Sequence, residues 1–165
     1  MESNNIYILS QPIHSGKTTL LMNWLQRTPH VAGILTPDVD KWRMLYDVAN
    51  KTHHPLQVRA SHPVNDLTMI GKFRFSKTGF HLAQQILQRS ANSNADWVIV
   101  DEVGLLEIKQ GAGLEPLLSD IIYLYKSRKD SQNKLLLVIR DYLLDEARVH
   151  YGIENATILD KSFFE

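Results

Sequence analysis

The stretch Asn5–Thr19, NIYILSQPIHSGKTT, decides how the rest of the chain is read. Ile6, Tyr7, Ile8 and Leu9 form an apolar run of strand length. A short loop, Gln11-Pro12-Ile13-His14-Ser15, follows. Gly16-Lys17-Thr18-Thr19 then opens a segment in which Leu20, Leu21, Trp24 and Leu25 recur at helical spacing. This spacing predicts a helix from about Lys17 to Gln26, stopped by Pro29. At a helix start the first N–H groups have no partner inside the helix, and the dipole places partial positive charge there. Such a terminus is an anion site, and a polyphosphate supplies both the missing acceptors and the complementary charge.

Strand, loop, Gly-Lys-Thr and helix, in that order, are the parts of a P-loop. On this reading His14, Ser15, Gly16, Lys17, Thr18 and Thr19 surround the phosphates of a nucleoside triphosphate. Lys17 reaches the outer phosphates, and the Thr18 hydroxyl ligates Mg2+, which shields phosphate charge. The usual pattern begins with glycine four residues before Ser15, where this chain has Gln11. Glycines let a loop take positive φ and pass close to phosphate. The loop from Gln11 to Ser15 has none, so its shape is expected to depart from the glycine-rich form.

A second constellation matches the first. Trp97-Val98-Ile99-Val100 is the continuous apolar run of a strand buried on both faces, and it ends in Asp101-Glu102. An apolar strand ending in two carboxylates is the metal-binding partner of a P-loop. Asp101 holds Mg2+ directly or through water, and Glu102 orients and deprotonates the attacking water. Leu135–Ile139 is a third apolar strand, followed by Arg140, a candidate stabiliser of γ-phosphate charge. Lys17, Glu102 and Arg140 are therefore the catalytic candidates, with Arg43 and Lys72 as weaker ones.

The remaining segments place these residues. Val31–Thr36 reads as a strand closed by Pro37-Asp38. Trp42–Val48 suggests another, with a polar turn over Asn50–Pro55 and Leu56–Ala60 pairing back as a hairpin beside the main sheet. Ile70–Phe75 reads as a further strand, and Ser76 or Thr78 caps a helix from Gly79 to Ser90 with Phe80, Ala83, Ile86 and Leu87 inward. Gly111 and Gly113 make a flexible loop, and Pro116 starts a helix through Tyr125. A helix near Tyr142–Val149 and a strand at Ala156–Leu159 complete the chain. Alternating helices and doubly apolar strands imply a three-layer αβα P-loop core, with a mostly parallel sheet and an added β-hairpin, as one domain over residues 1–165. Ligands in such sheets bind beyond the carboxyl ends of the strands. The loop after Gln11, the Asp101-Glu102 pair and Arg140 should therefore share one rim.

Composition narrows the partners. Eighteen Lys and Arg balance 18 Asp and Glu, so no global field favours nucleic acid or an anionic membrane. There is no cysteine, which excludes disulfides and thiolate metal sites. The opening MESNNIYILS lacks a long apolar core, no run approaches bilayer length, and a cytoplasmic setting is expected. The seven histidines show no paired zinc spacing; the adjacent His53 and His54 would face opposite sides of a strand. Phe73 and Phe75 alternating with Lys72 and Arg74 fit a half-buried strand better than a base-stacking platform, so nucleic acid is not an expected partner.

The chain resembles the small THEP-type nucleoside-triphosphatases. The matching blocks are Gly16-Lys17-Thr18-Thr19-Leu20, Gly33-Ile34-Leu35-Thr36-Pro37, Ile70-Gly71-Lys72-Phe73 and the run from Val98 to Glu107, VIVDEVGLLE. The resemblance implies a RecA-like core and slow, Mg2+-dependent hydrolysis of ATP, GTP and other triphosphates. The family's loop is richer in glycine, with glycine where this chain has His14. It carries Arg shortly after the Thr-Pro motif, where this chain has Asp40 and Arg43 is the nearest stand-in. A nucleotide or small-molecule kinase, with a second pocket near Trp42–Ala60, and a nucleotide-binding module with little catalysis are the alternatives on the same core.

Overall fold

The computed structural model describes residues 4–12, 15–129 and 132–165. The chain alternates β1 (Ile6–Gln11), α1 (Lys17–Leu25), β2 (Val31–Leu35), β3 (Asp38–Val39), β4 (Trp42–Asp47), β5 (Thr52–Pro55), β6 (Leu67–Ile70), β7 (Phe73–Ser76), α2 (Lys77–Ala91), β8 (Trp97–Val103), α3 (Leu105–Gln110), α4 (Leu117–Ser127), β9 (Lys134–Arg140), α5 (Leu144–His150) and β10 (Thr157–Leu159). A last 3-10 turn covers Lys161–Phe164.

The main sheet has eight strands in the order β10-β1-β9-β8-β2-β4-β3, with β5 on the other side of β4. From β10 to β2 every pairing is parallel. β4 runs antiparallel to β2 and to its neighbours β3 and β5. Val98, Ile99, Val100, Leu135, Leu136, Leu137 and Val138 are at most 1% exposed, as strands covered on both faces must be. One face packs Leu9, Leu35, Ile99, Leu136 and Val138 against Leu21 and Trp24 of α1 and Phe164 of the last turn. The other packs Ile8, Ile34, Val98, Val100 and Leu137 against α2, α4 and α5. The expected three layers are present, with unequal helical layers. Among the described residues, no helix is long and apolar enough to cross a membrane.

Three local expectations are corrected. The hairpin beside the sheet returns along Thr52–Pro55, not Leu56–Ala60. Lys51 takes φ 56°, so the chain reverses earlier than expected. A polar edge strand such as Thr-His-His-Pro lacks the apolar alternation that marks a strand in sequence. His53 and His54 do face opposite sides: the His53 ring lies 4.7 Å from that of Tyr46, and His54 Nε2 lies 3.0 Å from Thr52 Oγ1. Ile70–Phe75 is not one strand, because Gly71, at φ 58°, turns the chain between β6 and β7. Phe73 is accordingly exposed, while Phe75 packs on Phe80 at 6.0 Å. The segment after the acidic pair is not only loop: it contains α3, whose six residues are too few for periodicity to announce.

The Ser76 cap holds as expected, its side chain accepting from Gly79 N–H at 3.0 Å. Asp66 ties the β6–β7 hairpin to this helix start. It accepts from the Ser76 and Thr78 hydroxyls, at 2.8 and 2.6 Å, and from Thr78 N–H. With His62 added, these bonds hold its pKa well below the usual carboxylate range.

Candidate active site

β1 ends at Gln11, in register with Arg140 at the end of β9, and β8 lies on the far side of β9. The loop after β1, the acidic end of β8 and Arg140 therefore share one rim. Gly16 takes φ 83°, the left-handed conformation that glycine adopts without a Cβ penalty, and turns the loop into α1. Lys17 follows. It is 8% exposed, and its ammonium donates to the carbonyls of Gln11, at 3.3 Å, and Pro12, at 3.2 Å. A buried cation requires such partners. The Ser15 hydroxyl is buried with no partner. Gly16 and Thr19 are exposed on the loop and first turn. His14, assigned to the same loop from sequence, lies outside the described residues.

Thr18 reaches across to β8. Its hydroxyl donates to Asp101 Oδ2 at 3.3 Å, and the Thr36 N–H donates to the same oxygen at 3.1 Å. Asp101 is 1% exposed. Burial, and after it the Glu102 charge, raises its pKa to about 6, against the opposing pull of Thr36 N–H, Arg43 and Thr18. Thr18 and Asp101 together offer a hydroxyl and a carboxylate oxygen, the hard donors that Mg2+ takes when water and phosphate complete its shell. Among the described residues, no group of three or more His, Asp or Glu forms an all-protein metal site. The donor set thus fits a metal shared with phosphate.

Glu102 and Arg140 pair with each other, with Arg140 Nε 3.0 Å from Glu102 Oε1. Arg43 is held by Asp38 at 2.8 Å, yet its charge reaches Asp101. Lys72 sits at the β6–β7 turn with its ammonium 5.5 Å from the Phe73 ring. Two residues of the matching blocks, Thr36 and Glu107, take positions that their letters do not announce. Thr36 acts through its backbone N–H, which has no residue-type signature. Glu107 is 4% exposed with Oε2 unpartnered, and nothing in its letter predicts that burial.

A parallel core with a loop opening a helix after one strand and an acidic pair after another, separated by a third, has the fold of the P-loop nucleoside-triphosphatases. Over that fold the chain is similar to THEP1 from the hyperthermophile Aquifex aeolicus, with a TM-score of 0.67, 18% identity, and 94% of this chain and 88% of that one covered. It is also similar to a human cancer-related nucleoside triphosphatase, with a TM-score of 0.63, 18% identity, and 96% and 88% covered. No protein-family model matches the chain, and no curated protein matches it significantly in sequence.

Proposed function

We propose that the chain is a Mg2+-dependent nucleoside-triphosphate phosphohydrolase of the THEP type, converting ATP, GTP and other triphosphates to the diphosphate and phosphate. The contact between Thr18 and Asp101 carries the reading, because it joins the anion-binding helix start to a buried carboxylate. Two similar folds belonging to proteins called THEP1 and nucleoside triphosphatase support it.

Lys17 is the phosphate clamp. Its ammonium is pre-aimed by two loop carbonyls and exchanges them for the outer phosphate oxygens. Backbone amides of Ser15–Thr19 and the unpartnered Ser15 hydroxyl supply further donors. Thr18 and Asp101 would hold Mg2+, which when bound neutralises phosphate charge and brings Asp101 to its ionised form. Glu102 takes a proton from water as the water oxygen bonds to the γ-phosphorus. The bond from that phosphorus to the bridging oxygen breaks, and the electron pair leaves with the diphosphate. Arg140 holds Glu102 through an ion pair. On meeting the γ-phosphate it releases the carboxylate for this work.

A phosphate-release panel over the common triphosphates, with and without Mg2+, tests the reading. Free phosphate from triphosphate alone supports hydrolysis. Phosphate transfer seen only with a second substrate supports a kinase instead. Glu102→Gln should retain nucleotide binding and lose at least about 100-fold in kcat; undiminished turnover removes Glu102 from its role.

A further inference from the structure

Glu107 is unexplained by the steps above. It lies on α3, in the first turn after Gly104, and β8 with Glu102 ends immediately before. Its side chain is turned inward, 4% exposed, with Oε2 buried and unpartnered. The backbone amides of Glu107 itself and of Gly104 lie against the carboxyl. A glutamate three residues into a helix that reaches back to the N-terminal amide closes the helix start. The floor of this seat is the Gly111–Gly113 turn. A Cβ on Gly113 would lie 3.1 Å from Glu107 Oε2 and 2.8 Å from Leu106 Cδ2, and the φ of 66° there also favours glycine. The turn is thus built around the carboxyl.

We propose that Glu107 is the positioning residue for Glu102: its carboxyl, seated between the Gly104 backbone and the Gly111–Gly113 turn, fixes the end of β8, where the register with β9 shifts between Asp101 and Val103, and so presents Glu102 to the phosphate site. This inference rests on the phosphohydrolase reading for its functional meaning, though not for its geometry. The carboxyl does this as the neutral acid. No cation faces it. Glu102 approaches from β8, Glu115 from the segment before α4, and the Tyr151 hydroxyl from the end of α5, already donated to Glu115 at 2.8 Å. Of the cations on α3 and α5, Lys109 pairs with Glu146, and Arg148 donates through Nη2 to the Glu154 carbonyl while its Nε is buried without a partner. Burial first, with Glu102 and Glu115 adding repulsion, lifts the Glu107 pKa to about 8. Ionisation sets a second negative charge facing Glu102 and loosens the seat.

Two substitutions and two readouts test this. Glu107→Gln keeps the shape and the neutral charge. It should turn over within about 3-fold of the parent at pH 7 and lack the parent's alkaline fall near pH 8. Glu107→Ala empties the seat and should lose at least about 10-fold in kcat with KM changed by less than about 3-fold. Glutamine behaving like alanine, or an alkaline fall that survives in Glu107→Gln, overturns the proposal. Carboxyl NMR of the nucleotide-free protein supplies the second readout. Glu107 should titrate near 8, and the Glu102 resonance at fixed pH should move in Glu107→Ala. Glu107 titrating near 4, or an unmoved Glu102 resonance, overturns the proposal whatever the turnover. No turnover by the parent protein, with both NMR results as expected, overturns the phosphohydrolase reading and leaves the seating of Glu102 standing.

Discussion

Lys17 is the residue on which the proposed site turns, because its charge is buried in the folded chain. Its partners are two carbonyls, which solvate an ammonium without neutralising it, so the cation stays available to an anion. Lys17→Ala should weaken ATP and GTP binding by at least about 100-fold in calorimetry and leave the far-UV circular dichroism unchanged, because α1 is anchored by Leu21 and Trp24. Retained tight binding would count against the site. Glu107 makes a prediction of the opposite kind, about stability. Its folded pKa lies above its unfolded value, so between about pH 4.5 and 8 the folded state binds the extra proton. Its contribution is present in full below about pH 4.5 and is lost as pH rises, at up to about 1.4 kcal/mol per pH unit. Glu107→Gln should therefore gain in Tm over the parent from pH 5 to pH 8, with the difference levelling off above that. A constant difference across the range would place the Glu107 pKa elsewhere.

Strands set the spacing between these residues, and one glycine sets the spacing between two strands. Gly33 in β2 takes φ 112°, and a Cβ there would lie 2.1 Å from the Ile99 carbonyl oxygen on β8. Backbone cannot give way as a flexible side chain does. Gly33→Ala should cost about 3–5 kcal/mol in urea unfolding, and Thr36, three residues on, should lose its hold on Asp101. A loss below about 1 kcal/mol would mean that the two strands part easily. Sequence reading succeeds for the strands at Ile6, Val31, Trp97 and Leu135, because burial on both faces demands unbroken apolar runs. It fails for Thr52–Pro55, for the reversal at Gly71 and for α3. Edge strands and single-turn helices bury too little to leave a periodic signature.

At the scale of the whole molecule, one sheet joins both apolar clusters, with β1, β2, β4, β8 and β9 each lending a face to each. A chain built this way is expected to unfold in a single cooperative transition, as one domain. Because Lys17 and Thr18 open α1 while Asp101 lies on β8, a ligand that bridges them binds only the folded state. Mg2+ with a non-hydrolysable triphosphate at about 100 times its Kd should add about 2.7 kcal/mol of stability. Scanning calorimetry would read this as one transition moved upward. Two transitions, with only one responding, would divide the chain.

The order of a Gly-Lys-Thr helix start and an apolar strand ending in an acidic pair was legible in the letters. An anion-binding helix start and a buried strand ending in carboxylates both depend on local order along the chain, which a sequence displays. Lys17, Thr18, Asp101, Glu102 and Arg140 stand at the ends of these elements in the letters, and the fold brings those ends to one rim. Their partnerships belong to the tertiary structure: Thr18 and Thr36 on one Asp101 oxygen, and Arg140 on Glu102. Each of these joins residues through sheet order or burial, and neither is a property of neighbours along the chain. β9 lies between β1 and β8 in space, though it follows both in sequence by many residues. That insertion is what brings an arginine beside the carboxylate it holds.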